Sequence, residues 1–172
     1  MSGLHAGRDQ PPPPDERLKI MQTTFVAATS PRPLARLYAA LERSLDALQP
    51  FATLAIRLYV AKVFALSGWL KISRWDSTLA LFENEYHVPL LAPHAAAVLG
   101  TAAELMLPLL FVLGIRTRAV AIAFFVFNIV AVISYPDLSD AGLKDHVLWG
   151  TLMLVVAIYG PGRFSVDRWL SR

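Results

Sequence analysis

The stretch LAIRLYVAKVFALSGWLK, Leu54 to Lys71, decides the fold class, because it is apolar enough to enter a bilayer and yet carries Arg57 and Lys62. A helix needs about 20 mostly apolar residues to cross the hydrocarbon core, and Phe51 to Ile72 supplies them. An ionisable group near the bilayer centre costs at least about 2.5 to 3.5 kcal/mol, so each cation must snorkel, line water or find a partner. The rest of the chain has to be read with those three outcomes in view.

Composition points the same way. The 172 residues are 55% hydrophobic and 17% charged, more apolar and less charged than ordinary soluble domains. Three further spans are expected at His94 to Ile115, Thr117 to Tyr135 and Gly142 to Gly160. Only a short turn around Arg116 separates the second and third, which forces an antiparallel hairpin. The expected fold is all-α, a four-helix membrane bundle over residues 51–160. Before it, LARLYAALERSLDALQ places Leu34, Leu37, Tyr38, Leu41, Leu45 and Leu48 at helical spacing, so residues 34–49 read as an amphipathic interfacial helix ended by Pro50. Residues 1–33, with four consecutive prolines, read as an extended, weakly ordered leader, and 161–172 as a basic tail.

Lysine and arginine outside the spans set the expected orientation. The first fifty residues hold six, the turn adds Arg116 and Arg118, and the tail adds Arg163, Arg168 and Arg172. The opposite loops and helix ends offer Lys71, Arg74 and Lys144 among several acids. Both termini are therefore expected to face the cytoplasm. The loop between the first two spans spaces Trp75, Leu79, Phe82 and Tyr86 as an amphipathic helix resting in the interface. The basic residues flank apolar runs instead of forming one polar face, so nucleic acid is not an expected partner, whereas lipid is. The absence of cysteine excludes thiolate chemistry and disulfides within the chain. The sequence also lacks a Gly-rich phosphate loop, an HExxH motif and a serine-nucleophile elbow.

Depth along the helices gathers the polar residues. At 1.5 Å per residue from Phe51, Arg57 lies roughly 9 Å and Lys62 about 16 Å along the first span. Counting from their own ends, Glu104 lies about 14 Å into the second span and Asn128 about 16 Å into the third. Arg57 shares its stripe with Ala61, Phe64, Gly68 and Lys71, whereas Lys62 projects round the helix with Leu66 and Trp69. Small residues mark close helix contact, so the Ala61 and Gly68 stripe is expected inside, with Arg57 paired to Glu104. Pro108, four residues after Glu104, removes the helical hydrogen bond to its carbonyl and favours a bend.

Two readings of that cluster stay open. Arg57, Lys62, Glu104 and Asn128 could form a polar mid-membrane pocket, or the charges could serve only to fix helix register. Asn128 has its own structural alternative, an interhelical hydrogen bond. His87, His94 and His146 flank the outer loops, where imidazole could hold a metal, but no compact ligand spacing accompanies them, and no metal site is assigned. Trp69, Trp75, Trp149 and Tyr135 fit an interfacial aromatic belt.

From about Phe51 to Trp169 the chain resembles the DoxX-like (DoxX/DoxD) family of small bacterial membrane proteins. The resemblance rests on LAIRLYVAKVFALSGWLKI, on AAELMLPLLFVLGIRTRAVA with Glu104 and Gly114, and on YGPGRFSVDRWL with Gly160, Pro161, Gly162, Ser165 and Asp167. It implies a four-helix bundle in a bacterial inner membrane. Relatives include subunits of thiosulfate:quinone oxidoreductase, components of complexes handling thiol or oxidative stress, and companions of copper-binding peptide modification. With the resemblance, the expectation is a membrane subunit of a redox complex in which Arg57, Lys62, Glu104 and Asn128 receive a quinone head group. Glu104 and Arg57 would act on it or its protons, electrons would come from a protein partner, and the chain could self-associate. The alternatives are a non-catalytic anchor that assembles partner proteins and a component of copper handling at the outer face. The leader and amphipathic helix lie outside the family pattern.

Overall fold

The computed structural model describes residues 13–28 and 33–170. Its elements are α1 (Pro14–Ala28), α2 (Pro33–Ser73), α3 (Trp75–Asn84), α4 (Pro93–Leu113), α5 (Thr117–Ser134), α6 (Asp140–Tyr159) and α7 (Val166–Leu170), and no strand occurs among the described residues. The chain divides into two compact units, residues 1–44 and 45–172.

In the first unit, α1 occupies part of the segment expected to be extended. Pro14 stands at its first position, where proline costs no hydrogen bond, and Asp15 and Glu16 in the first turn favour the positive end of the helix dipole. Residues 1–12 and 29–32 of the expected leader lie outside the described residues. The predicted leucine stripe of this unit, Leu34, Leu37, Tyr38 and Leu41, is exposed.

The second unit is the expected bundle. Helices α4, α5 and α6, together with α2, are long and apolar enough to cross a membrane. Pro50 does not end the amphipathic segment as expected: α2 runs through it as one helix of 41 residues. A proline inside a helix removes a single donor, and a buried site that packs its ring can absorb that loss. The core joins Val60 and Phe64 of α2 to Phe111 of α4, Phe124 of α5 and Met153 and Val156 of α6. Phe64 meets Phe124 and Trp149 edge-on, with centroids 4.7 and 5.4 Å apart, a favourable quadrupole geometry. The loop helix α3 was predicted to be amphipathic, and its Leu79 and Phe82 pack with Trp75 and Tyr86 against Ala96 and Ala97 of α4.

The helix ends follow their local chemistry. Gly114 closes α4 in the left-handed region at φ 71°, where any Cβ would also lie 2.5 Å from the Ser165 Cβ. Ser139 caps α6 by accepting from the Gly142 N–H. Ser165 accepts from the Arg168 N–H and so caps α7.

Candidate functional site

Arg57 and Glu104 do not meet. Arg57 is 1% exposed and donates to three backbone carbonyls: Nη1 to Pro161 at 2.6 Å, and Nη2 to Val112 at 2.5 Å and to Phe164 at 2.8 Å. It satisfies the end of α4 and ties the segment after α6 beneath the bundle. Asp167 works in the same lock. Its Oδ1 accepts from the Arg116 N–H at 2.7 Å, and its Oδ2 from the N–H and hydroxyl of Thr117 at 2.7 and 2.8 Å, so a carboxylate caps the start of α5 from fifty residues away. Burial pushes the Asp167 carboxyl up, but the hydrogen bonds from Thr117 and Arg116 outweigh it and hold the group below its ordinary value. Arg57 is thus a structural clamp, not the partner of the mid-span acid.

The reason is register first and side-chain direction second: Gly68 of α2 stands level with Glu104, so Arg57, eleven residues earlier, lies about 16 Å away along the helix. Helical side chains lean toward the N-terminus of their helix. The contacts of Arg57 with Val112 and of Lys71 with Glu104 show that α2 and α4 run antiparallel. Arg57 therefore reaches toward the end of the bundle where α4 terminates, while Glu104 reaches toward the opposite end. Lys71, on the predicted stripe but fourteen residues further along, leans back toward Glu104 and meets it.

Lys71 Nζ lies 2.7 Å from both Glu104 oxygens and also donates to Ser67 Oγ at 2.8 Å. Ser67 Oγ in turn donates to Glu104 Oε1 at 3.3 Å. The two charged side chains are 15% and 10% exposed, so the pair is largely out of solvent. Gly68 makes the approach fit: a Cβ there would stand 2.9 Å from the Glu104 Cβ.

This pair lies in the wall of a cavity of about 520 Å³ in the bundle half where Lys71 and Glu104 meet. Most of its lining is apolar, contributed by Val63, Phe82, Leu99, Phe127 and others, with Ser67, Tyr86, Tyr135, His146 and Trp149 as further polar members. Tyr86 stacks edge-on with Tyr135, their centroids 5.1 Å apart. The His87 N–H donates to the Ser134 carbonyl at 2.7 Å, tying the α3–α4 loop to the end of α5. Burial, then the nearby Glu104, Tyr135 and Glu85, push the Tyr86 phenol up, so it stays a protonated donor at neutral pH.

Asn128 joins the site indirectly. Its Nδ2 donates to the His146 carbonyl at 3.0 Å, and its Oδ1 lies 2.8 Å from His146 Nδ1. An amide oxygen can only accept, so Nδ1 carries the proton and Nε2 of the neutral ring keeps its lone pair. Trp149 also lines the cavity, and its indole N–H is buried without a hydrogen-bond partner. Lys62, by contrast, is exposed on the outside of α2 and takes no part in the cavity. The four expected residues are therefore distributed: Glu104 in the wall, Asn128 behind His146, Arg57 in the clamp and Lys62 on the outer face. Among the described residues no three His, Asp or Glu side chains gather to hold a metal ion, and His87 and His94 are exposed.

Comparison with known proteins adds the family. The DoxX family pattern matches residues 52–136, which contain Arg57, Lys71, Glu104 and Asn128. The chain is also 30% identical over 134 residues to the inner membrane protein YphA of Escherichia coli (strain K12), covering 71% of this chain and 92% of that protein. The chain belongs to the DoxX family. With its four long apolar helices, it is a multi-pass inner membrane protein in contact with lipid. No solved structure matches it significantly. Within the DoxX pattern, Lys71 and Glu104 supply the charged pair of the cavity, and Arg57 supplies the clamp.

Proposed function

We propose that this DoxX protein is the membrane subunit of a redox complex, and that its cavity receives the head group of a quinone. The observation that carries this reading is an apolar cavity of about 520 Å³ with a buried, hydrogen-bonded ion pair in its wall. That volume falls in the roughly 300 to 1,000 Å³ range of small-molecule sites, and an apolar lining with a few convergent polar groups is their usual composition.

The residues suit the chemistry. A bound quinone supplies two carbonyl acceptors and a need for protons as it is reduced. Lys71 and Tyr86 are donors for such carbonyls. Glu104 and the free nitrogen of His146 are the groups able to hold or release a proton, with Asn128 fixing which His146 nitrogen is available. Arg57 has no part in this step, and its contribution is to keep the bundle closed at the other end. In this reading the electrons reach the site through a protein partner.

Glu104→Gln in the assembled complex tests this. It should leave the protein inserted while quinone-dependent turnover falls by at least roughly a hundredfold, within the usual contribution of a proton-transferring group. Unchanged turnover would overturn the assignment.

A further inference from the structure

At the end of the bundle closed by Arg57, a second cleft of about 430 Å³ opens between α2, the start of α5 and the segment after α6. Its charged lining comprises Arg118, Arg163 and Arg168 with Asp46 and Asp167. These charges are not matched within the chain. Asp167 is spent on Arg116 and Thr117, and Arg168 has a partner of its own. Arg118 and Arg163 make no hydrogen bond or ion pair among the described residues, and neither does the Asp46 carboxylate. Two guanidiniums and a carboxylate thus line one cleft without pairing.

The backbone positions those groups. Gly160 and Gly162 both take the left-handed region, at φ 87° and 73°, and turn the chain back onto α2, where a Cβ on Gly162 would stand 3.3 Å from the Thr53 Cβ. The Arg118 guanidinium lies against Gly160, its Nε and Nη2 each 3.5 Å from the place of the absent Cβ. Arg163 follows directly, so this one turn positions both cations. On α2, Pro50 has no N–H to give the Asp46 carbonyl, so the backbone offers a further acceptor next to the Asp46 carboxylate and near the Gln49 amide.

The cleft lies at the level where the spans end: α5 begins at Thr117, α6 ends at Tyr159, and the end of α4 is tied to the same segment through Arg57. Span ends occupy the head-group layer, and the exposed Phe51, Tyr159 and Trp169 here fit its aromatic belt. We propose that the cleft binds one phospholipid by its head group. Arg118 and Arg163 take the phosphodiester, and Asp46 with Gln49 takes a hydrogen-bond donor carried beyond it, the ammonium of ethanolamine or a hydroxyl of glycerol. A guanidinium fork matches two phosphate oxygens, and basic pockets between transmembrane helices are a recurring mode of head-group recognition. The carboxylate adds selectivity, because a choline head group has the same phosphate but no N–H or O–H to give. The site is separate from the cavity of Lys71 and Glu104, and the proposal is independent of what that cavity holds.

Native mass spectrometry of the detergent-purified full chain, with one defined lipid added at a time, tests this. Phosphatidylethanolamine and phosphatidylglycerol should each be retained in one copy, at least roughly fivefold more tightly than phosphatidylcholine with the same acyl chains. Arg118→Gln and Arg163→Gln should each weaken that retention at least roughly tenfold while the lipid-free melting temperature holds, since both side chains are exposed. Arg74→Gln, which removes an exposed cation at the opposite end of the bundle, should leave retention unchanged. Asp46→Ala should bring the first two lipids down to the level of phosphatidylcholine. Retention indifferent to both Arg118→Gln and Arg163→Gln, or equal retention of all three lipids by the wild type, would overturn the proposal. So would displacement of the lipid by millimolar inorganic phosphate, which would mark a site for free phosphate.

Discussion

Replacing Arg57 with methionine tests the clamp, and its cost can be worked from the three carbonyls it serves. The Val112 carbonyl lacks its helical donor, because the Arg116 N–H that would reach it four residues on is held by Asp167. Pro161 is half-buried and also loses its partner, whereas the exposed Phe164 can turn to water. Two unsatisfied half-buried carbonyls at about 1 to 3 kcal/mol each, less the relief of no longer burying a guanidinium, give a net loss of about 2 to 4 kcal/mol. The loss is local, so it should act first on the tail. At about 1.4 kcal/mol per factor of ten, tail opening should rise roughly thirtyfold to several hundredfold. Trypsin cleavage after Arg163 in detergent-purified protein measures that opening, and thermal unfolding measures the global effect. Arg57→Lys should recover only part of the loss, because one ammonium cannot bridge three carbonyls in the guanidinium geometry. Wild-type cleavage and melting in Arg57→Met would refute the clamp.

Three other perturbations follow from the same geometry. Lys71→Met leaves the Glu104 carboxylate without its charge partner and should cost about 3 to 5 kcal/mol in chemical or thermal unfolding, while adding Glu104→Gln should restore most of it; strictly additive losses would show the pair to be uncoupled. Gly68→Ala puts a methyl 2.9 Å from the Glu104 Cβ and 3.0 Å from Leu105, and should destabilise by about 1 to 3 kcal/mol, with an unchanged melting temperature arguing against so close a contact. Asp167→Asn should lower the melting temperature at neutral pH. Because the folded-state pKa of Asp167 is depressed, its contribution is complete above the ordinary aspartate value of about 3.9 and is lost as pH falls through the lower folded value, so wild type and variant should converge in acid.

Helix content and number were legible because they rest on length and composition alone: four apolar runs of bilayer length read the same in sequence and in structure. The amphipathic spacing of Trp75, Leu79, Phe82 and Tyr86 likewise announced α3. Pro50 misled because local propensity treats proline as a stop, while a buried tertiary setting accommodates it. At the site, the interior stripe of α2 was correct and Lys71 stood on it. Depth counted from each span's own apparent end nevertheless selected Arg57, because that count missed the register of α2 against α4, in which Gly68 stands opposite Glu104 and Lys71 leans back to it. His146 and Trp149 were hidden for another reason. Their roles depend on the packing of α6 against α5, and that helix has almost no periodic signature to mark its inner face.

The most direct test of the proposed role is photoaffinity labelling of the native membrane with an azido-substituted quinone, followed by peptide mapping. Label should fall on the cavity wall, in the segment from Tyr86 to Leu99 and that from Val130 to Leu138, and should disappear when excess unmodified quinone is added. Label confined to the outer face of the helices, or undiminished by competition, would contradict the account.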